Sequence, residues 1–197
     1  MISKQISDGT YTETPFPYYI CHTSFDPEFS YTLLNWLQTE APWSLTVADF
    51  YEQYEFSFFD VDLPASLSCI KLQNYSDTIK HLVASKFNTR LAENFDLTAH
   101  KLTAGQTIRL HNDYIEGQET HRVIIQLNNG WEMNQGGLLM LFNSKDPADI
   151  HRALLPVHNS CLAFEISQKS NHAVSTILSG ERYTMVYSFY RLPEEKQ

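Results

Sequence analysis

The chain has few cysteines, no Cys-x-x-Cys pair and no long apolar stretch, and each absence narrows the class of protein. Its three cysteines, Cys21, Cys69 and Cys161, are odd in number and far apart, so we expect reduced packing residues rather than a disulfide framework. No segment is long and apolar enough to cross a bilayer, and the polar segment 1–10 lacks the apolar core of a secretion signal. We therefore expect a cytoplasmic protein with no membrane partner.

Positive charge is also scarce. The 197 residues include 14 Lys and Arg against 23 Asp and Glu, which gives a formal net charge of -9. An acidic chain without a basic cluster is a poor electrostatic match for a phosphate backbone, so nucleic acid is not expected as a partner. The 43% of apolar residues suit a soluble globular protein, and the length fits one domain, residues 1–197.

Helical and extended patterns divide the chain into two parts. Asp26-Pro27 opens a helix that runs toward Pro42, and Ser76-Asp77 opens a second helix whose apolar stripe continues to Phe95. Eight extended segments separated by turn residues follow, at 97–102, 107–113, 121–127, 137–142, 151–157, 160–166, 173–177 and 182–190. This order predicts a mainly β fold in which 1–96 give mainly helical support and 97–192 form a double-stranded β-helix, the cupin-like jelly-roll barrel.

A His-x-Asp motif and a distal histidine predict a metal site. Side chains two residues apart on a strand project to the same side, so His111 and Asp113 face one cavity if 107–113 is extended. His172 stands before the last strand, and Arg182 follows ten residues later. Two imidazoles and one carboxylate can occupy one face of an iron ion and leave positions for a co-substrate and O2. The pattern therefore indicates oxidation at non-haem Fe(II).

Residues 97–192 resemble the Fe(II)/2-oxoglutarate-dependent oxygenases, and within them the prolyl-hydroxylase-like branch. The motifs that carry the resemblance occur in the order of that family, at Gly105, His111 to Asp113, Arg122 to Asn128, Gly136-Gly137, Pro156, His172 to Val174 and Gly180 to Thr184. The part from His111 to Phe142, with Trp131 before the glycine pair, looks most like the small hydroxylases related to those acting on a ribosomal-protein proline.

The resemblance implies an iron site and a co-substrate anchor. His111, Asp113 and His172 would hold Fe(II), while Arg182, assisted by Thr184, would pair with the distal carboxylate of 2-oxoglutarate. A guanidinium suits that task because its planar fork donates two parallel, charge-assisted hydrogen bonds. O2 would be the other co-substrate, with ascorbate as a candidate reductant. The implied reaction hydroxylates an amino-acid side chain, in a peptide or protein or in a free or carrier-bound amino acid, and converts 2-oxoglutarate to succinate and CO2.

Two positions depart from the family pattern. Many prolyl hydroxylases carry tyrosines that contact 2-oxoglutarate where this chain has Lys101 and Gln126. The amide of Gln126 can still donate a hydrogen bond, so Gln126 is kept as a candidate co-substrate contact. A protein of another class stays open as the alternative, a jelly-roll protein that binds metal or 2-oxoglutarate as a sensor without turnover.

Three further residues are candidate substrate contacts. Arg109 would face inward with His111 on a regular strand and read an anionic group of the substrate or support Asp113, whereas a bulge would turn it to solvent. Tyr114 and Trp131 lie on loops, where aromatic rings often serve recognition, or else they cap the core. The polar segment 112–120 is predicted to act as a lid. The remaining histidines are expected at the surface or in loops, namely His22, His81, His100, His121, His151 and His158.

Overall fold

The computed structural model describes residues 1–193, which form twelve strands and two α-helices. In chain order these are β1 (Thr10–Thr12), β2 (Tyr18–Cys21), α1 (Pro27–Thr39), β3 (Ser44–Ala48), β4 (Tyr51–Ser57), α2 (Gln73–Lys86), β5 (Leu91–Thr103), β6 (Ile108–His111), β7 (His121–Gln126), β8 (Leu139–Phe142), β9 (Ile150–Leu154), β10 (Cys161–Glu165), β11 (His172–Val174) and β12 (Glu181–Arg191). Within this part of the chain, neither helix is long and apolar enough to span a membrane.

The strands join one antiparallel sheet in the order β1-β2-β10-β7-β12-β5-β4-β6-β11-β8-β9, with β3 paired to β4 at the side. The sheet curls, so that β6 and β11 face β7 and β12 across an interior cavity lined by residues of all four strands. This is the predicted jelly-roll architecture, mainly β and flanked by helices. Its strands are assembled from pairings between distant parts of the chain, as when Cys21 of β2 lies opposite Cys161 of β10.

The two predicted helices are present, and the second has different ends. α1 begins at Pro27 and buries Leu33 and Leu37 against the sheet. α2 begins at Gln73, before the predicted start, and ends at Lys86. Asn88 follows with φ 46°, a left-handed conformation that stops a helix. The apolar residues predicted to continue the helical stripe, Leu91 and Phe95, therefore lie on β5 instead.

The expectation that residues 1–96 are mainly helical was wrong. Four strands, β1 to β4, and the first half of β5 lie in this region beside the two helices. β1 and β2 are three and four residues long, too short for a period-two pattern to stand out. β2 extends the sheet on β10, and β4 pairs with β5, so the N-terminal region contributes strands to the barrel as well as helices that cover it.

The two faces of β12 contact different environments. Tyr183, Met185, Tyr187 and Phe189 are buried in the cluster that α1 and α2 cover, while the alternate residues Arg182, Thr184, Val186 and Ser188 line the interior cavity. Successive side chains on a strand point to opposite faces of the sheet, so the apolar residues fix the register that directs the polar ones inward. The hydrophobic packing therefore positions the site.

All three cysteines are free, as predicted. Cys21 and Cys161 are buried on the adjacent strands β2 and β10, and their sulfur atoms lie 2.9 Å apart. Cys69 is half-buried. They pack in the core as small apolar side chains do.

His121 is buried, and the expected solvated position was wrong. Its side chain is 0% exposed, packs edge-on against Phe87 with ring centroids 5.3 Å apart, and has its Nδ1 atom 3.0 Å from the Thr120 hydroxyl. Burial, with a smaller contribution from Arg191, lowers the pKa of His121 from 6.5 to about 3. The imidazole is therefore neutral in the folded protein.

This burial predicts a loss of stability in weak acid. The unfolded chain takes up a proton at His121 as the pH falls below 6.5, and the folded chain does so only near its lowered pKa of about 3, so stability is full above the unfolded pKa and declines across that interval. Between about pH 7 and about pH 5 one such group costs about 2 kcal/mol. His121→Gln should remove this part of the change in urea unfolding free energy, whereas His22→Gln, at an exposed histidine, should leave it. Equal pH dependence in both variants would contradict the assignment.

Candidate active site

The three predicted metal ligands converge. His111 ends β6 and His172 begins β11, and the two strands pair with these residues directly opposite each other. The Nε2 atom of His111 lies 3.2 Å from Asp113 Oδ1, and that of His172 lies 3.1 Å from Asp113 Oδ2. One ligand atom from each residue lies within 4.8 Å of the others. The donor set of two imidazoles and a carboxylate fits Fe(II).

Backbone carbonyls orient both imidazoles. Nδ1 of His111 lies 2.8 Å from the carbonyl of Arg109, and Nδ1 of His172 lies 2.7 Å from the carbonyl of Ser170. A carbonyl can only accept, so Nδ1 carries the proton in each ring and the Nε2 lone pair points into the site. Each ring is thus held in the tautomer that binds a metal.

The charge of Asp113 is fixed by its neighbours. Burial would raise the pKa of Asp113, but Arg122 and the two ligand histidines outweigh burial and hold the pKa well below its usual range. Burial is also the main cause that lowers the pKa of His111. The carboxylate is therefore ionised and the His111 imidazole neutral near neutral pH, and metal binding requires these forms.

Asp113 reaches the site by a turn, which corrects the prediction of a strand over 107–113. β6 ends at His111, and Asp113 has φ 59°, so its side chain is aimed by a left-handed backbone conformation. The register between β6 and β11 shifts after the histidine pair, where Val174 lies opposite Ile108. This bulge places the exposed Arg109 side chain on the outer surface, so Arg109 does not face the metal site.

A cavity of about 440 Å³ connects the metal ligands with a buried arginine. Arg182 is 3% exposed, and its Nη1 atom donates to the Thr184 hydroxyl at 3.0 Å. Its Nε atom has no partner, and no carboxylate of residues 1–193 lies within ion-pair distance of it. Burial lowers the pKa of Arg182 to about 10, so the group stays charged at neutral pH. A buried cation without a counter-ion is costly, and the cavity therefore suits an anionic ligand.

Sequence reasoning missed the cavity role of two other side chains, and the first is Arg122. Its Nη1 atom donates to Asp113 Oδ2 at 2.5 Å, and its Nη2 atom donates to Glu119. Arg122 lies on β7, directly opposite Ser188 of β12. The alternation of side chains along β7 could have predicted this role, because Arg122 and Ile124 lie on one face of the strand and both line the cavity.

The second is His100, which was expected at the surface. It lies opposite Thr184 in the pairing of β5 with β12 and lines the cavity. Its Nε2 atom is 3.1 Å from the Thr98 hydroxyl, and burial lowers its pKa to about 4, so it is neutral. The neighbouring Lys101 points to the other face, where its ammonium lies 4.8 Å from the centre of the Tyr54 ring.

The remaining candidates lie around the cavity rather than in it. Gln126 is buried opposite Thr184, and its amide oxygen accepts from Asn128 at 3.5 Å. Trp131 packs against the inner apolar cluster and donates from Nε1 to the Gly136 carbonyl at 2.9 Å. Among the described residues, the cavity lining includes neither Gln126 nor Trp131. Tyr114 is 42% exposed and lines a neighbouring recess that also contains His111 and Asp113.

A family model described as the 2OG-Fe(II) oxygenase superfamily matches residues 97–190. Over these 94 of the 197 residues the chain is similar to that superfamily. It is 24% identical to prolyl 3-hydroxylase OGFOD1 of Mus musculus over 196 residues, which cover 92% of this chain and 36% of the relative. The Xenopus laevis protein of the same name is 33% identical over 95 residues, or 47% of this chain and 18% of the relative. The chain thus spans about a third of the first relative's length, and both relatives carry the name prolyl 3-hydroxylase.

Solved structures share the fold. A Pseudomonas putida prolyl-4-hydroxylase superposes with a TM-score of 0.70 at 18% identity, covering 89% of this chain and 92% of that one. A Trichoplax adhaerens prolyl hydroxylase in complex with a hypoxia-inducible-factor peptide gives 0.71 at 15% identity, covering 88% and 83%. The superfamily uses Fe(II), 2-oxoglutarate and O2, and the His-Asp-His group fits the metal.

The site predicts that metal binding fails without the distal histidine. His172→Ala removes one of three ligands and should weaken Co(II) binding, a spectroscopic substitute for Fe(II), by more than about 100-fold, because even an outer-shell partner typically contributes 10- to 100-fold. Titration of the visible Co(II) absorption bands measures this. His81→Ala, at an exposed histidine of α2, serves as the control. Unchanged Co(II) affinity in His172→Ala would refute the site.

Proposed function

We propose that the protein is an Fe(II)- and 2-oxoglutarate-dependent dioxygenase that hydroxylates an amino-acid side chain. One observation carries the proposal: a single cavity holds a metal-ligand triad at one position and a buried guanidinium without a counter-ion at another. 2-Oxoglutarate has two carboxylates joined by a short chain, and its keto acid end can chelate a metal. The two features of the cavity thus match the two ends of this co-substrate.

Each residue has a distinct role in this proposal. His111, Asp113 and His172 hold Fe(II), and Arg182, with the Thr184 hydroxyl beside it, binds the distal carboxylate. Fe(II) bound together with 2-oxoglutarate and O2 supplies the oxidising power to hydroxylate an unactivated C–H bond, with succinate and CO2 as the other products. The protein supplies the anchor, the orientation of both reactants and the exclusion of water.

The cavity walls are suited to the exclusion of water. Apolar side chains from six strands lie between the polar groups, namely Leu102, Ile108, Ile124, Leu139, Val174 and Val186. Beside the metal ligands, the Phe50 ring stacks on the His111 imidazole with centroids 4.4 Å apart. Such walls keep bulk water from the metal and strengthen the electrostatic attraction between Arg182 and a bound carboxylate.

We propose a peptide or protein as the substrate, with a free or carrier-bound amino acid as the other substrate form to be tested. The named relatives are prolyl hydroxylases, which supports a side chain presented by a polypeptide. Tyr114 and Ile115 are exposed beside the metal ligands and are the aromatic and aliphatic surfaces that such a chain would contact. Arg109, on the outer surface, has no part in this proposal.

The anchor role of Arg182 predicts a selective loss of co-substrate affinity. Arg182→Met should weaken binding of 2-oxoglutarate to the Co(II)-loaded protein by about 100-fold, because it removes charge-assisted hydrogen bonds worth roughly 1.5 to 3 kcal/mol each. Calorimetric titration measures this affinity. Arg191→Met, on the same strand but paired at the surface with Glu165, should bind 2-oxoglutarate normally.

The same titration with 2-oxobutanoate provides an internal check. This keto acid lacks the distal carboxylate, so wild type and Arg182→Met should bind it equally. If Arg182→Met weakened both ligands to the same extent, the arginine would be a structural residue and the proposed anchor would be wrong.

Turnover tests the reaction itself. With Fe(II), 2-oxoglutarate, ascorbate and a panel of proline-containing peptides and free amino acids, we expect succinate together with a product heavier by one oxygen, followed by mass spectrometry. Labelling with 18O2 should place one labelled atom in succinate and one in the hydroxylated residue. Tight 2-oxoglutarate binding without succinate across the panel would instead indicate a binding or sensing protein.

A further inference from the structure

We infer that Arg122 is a positioning residue that aims the Asp113 carboxylate at the metal and links the loop 112–120 to the metal site. The inference rests on the metal site of the proposed function and goes beyond it, because it assigns to the loop a direct connection with a metal ligand. The Arg122 side chain contacts two carboxylates from opposite ends of that loop, Asp113 and Glu119.

The guanidinium fork makes this double contact feasible. The two terminal nitrogens of Arg122 donate separately, Nη1 to Asp113 at 2.5 Å and Nη2 to Glu119. An arginine guanidinium stays charged in proteins. A lysine ammonium is a compact point charge on a flexible stem and lacks the planar fork. Two simultaneous contacts in fixed directions therefore require arginine.

Asp113 needs an external support for its orientation. It lies beyond the end of β6, so no strand pairing holds its backbone, and its φ of 59° is a conformation that non-glycine residues adopt at a cost. Arg122 is on β7, which pairs with β10 on one side and β12 on the other. The opposing residue on β12 is Ser188, whose small side chain leaves space for the guanidinium. The support is thus part of the rigid sheet.

The loop between β6 and β7 is fixed at both ends and exposed at its tip. The Asn112 carbonyl accepts from the Ser170 hydroxyl at 2.7 Å, and the Thr120 amide donates to the Phe189 carbonyl at 2.8 Å. Between these points Ile115 is 65% exposed, although it also lines the cavity. The Arg122–Glu119 contact is therefore the point at which the loop and the metal ligand share a partner.

A charge-conserving substitution separates orientation from electrostatics. Arg122→Lys keeps the positive charge beside the metal and loses the fork, so it should weaken Co(II) affinity by about 10-fold or more, in the range found for residues that orient metal ligands. Arg109→Lys is the matched control, because Arg109 lies two residues before His111 with an exposed side chain. Its Co(II) affinity should equal that of wild type.

Hydrogen exchange tests the loop contact in the metal-free protein. Glu119→Gln removes one carboxylate from Arg122 and should speed amide exchange in residues 114–118 several-fold, while it changes Co(II) affinity less than Arg122→Lys does. Glu116→Gln, an exposed acid of the same loop, should leave the exchange unchanged. Arg122→Lys should show both effects, faster loop exchange and weaker metal binding.

The outcomes distinguish this inference from the proposed function. Failure of wild type to bind Co(II) would contradict the metal site itself. If wild type binds Co(II) but Arg122→Lys matches Arg109→Lys in affinity and loop exchange, only the role of Arg122 is refuted. Should Arg122→Lys lose its cooperative thermal transition, Glu119→Gln decides alone, and equal loop exchange in Glu119→Gln and Glu116→Gln would overturn the inference.

Discussion

The antiparallel pairing of β6 with β11 sets His111 opposite His172, and the metal site exists only because these two strands meet. Residues directly opposite in such a pair have neighbouring side chains on one face, so two imidazoles separated by most of the barrel sequence become adjacent. Phe50 stacks on one of them and Phe164 packs edge-on against the other, with centroids 5.0 Å apart. The Asp113 carboxylate must then reach the position that the pairing of β6 with β11 defines.

The alternation of side chains along β12 serves both helix packing on the outside of the barrel and ligand binding on the inside. β12 buries aromatic and aliphatic residues under α1 and α2 and presents Arg182 and Thr184 on its opposite face. The hydrophobic contacts hold the strand in place and contribute most of its burial energy, while the polar face carries a charge that is unfavourable without a ligand. Burial of the apolar face of β12 therefore compensates for the unfavourable buried charge of Arg182 on its opposite face.

Much of this arrangement could be predicted from the sequence because its signals are local. The eight strands after residue 97 follow alternating patterns and turn residues, and the metal ligands follow from a motif and a distal histidine. Arg109 was uncertain because a bulge between β6 and β11 changes its direction, and the register shift that causes the bulge is a property of the pair of strands. β1 and β2 escaped prediction because a short strand gains its stability from its partner.

The missed cavity residues have the same physical origin. Lys101 was considered and His100 dismissed, although they are neighbours, because the direction of a side chain on β5 depends on its pairing with β12. Arg122 sits in a segment of recognised family resemblance, but its contact with Asp113 depends on a left-handed turn that no residue pattern announced. The sequence specifies which side chains are present, whereas strand pairing determines which of them come into contact.

The opposite directions of His100 and Lys101 also bear on how the barrel assembles correctly. A slip of one residue between β5 and β12 would bring the ammonium of Lys101 into the same closed space as the guanidinium of Arg182 and expel the neutral imidazole. Two like charges away from water repel strongly, so a misaligned sheet would be penalised by electrostatics as well as by lost packing. The opposite orientations of these two neighbouring side chains on β5 thus favour the correct register of β5 against β12.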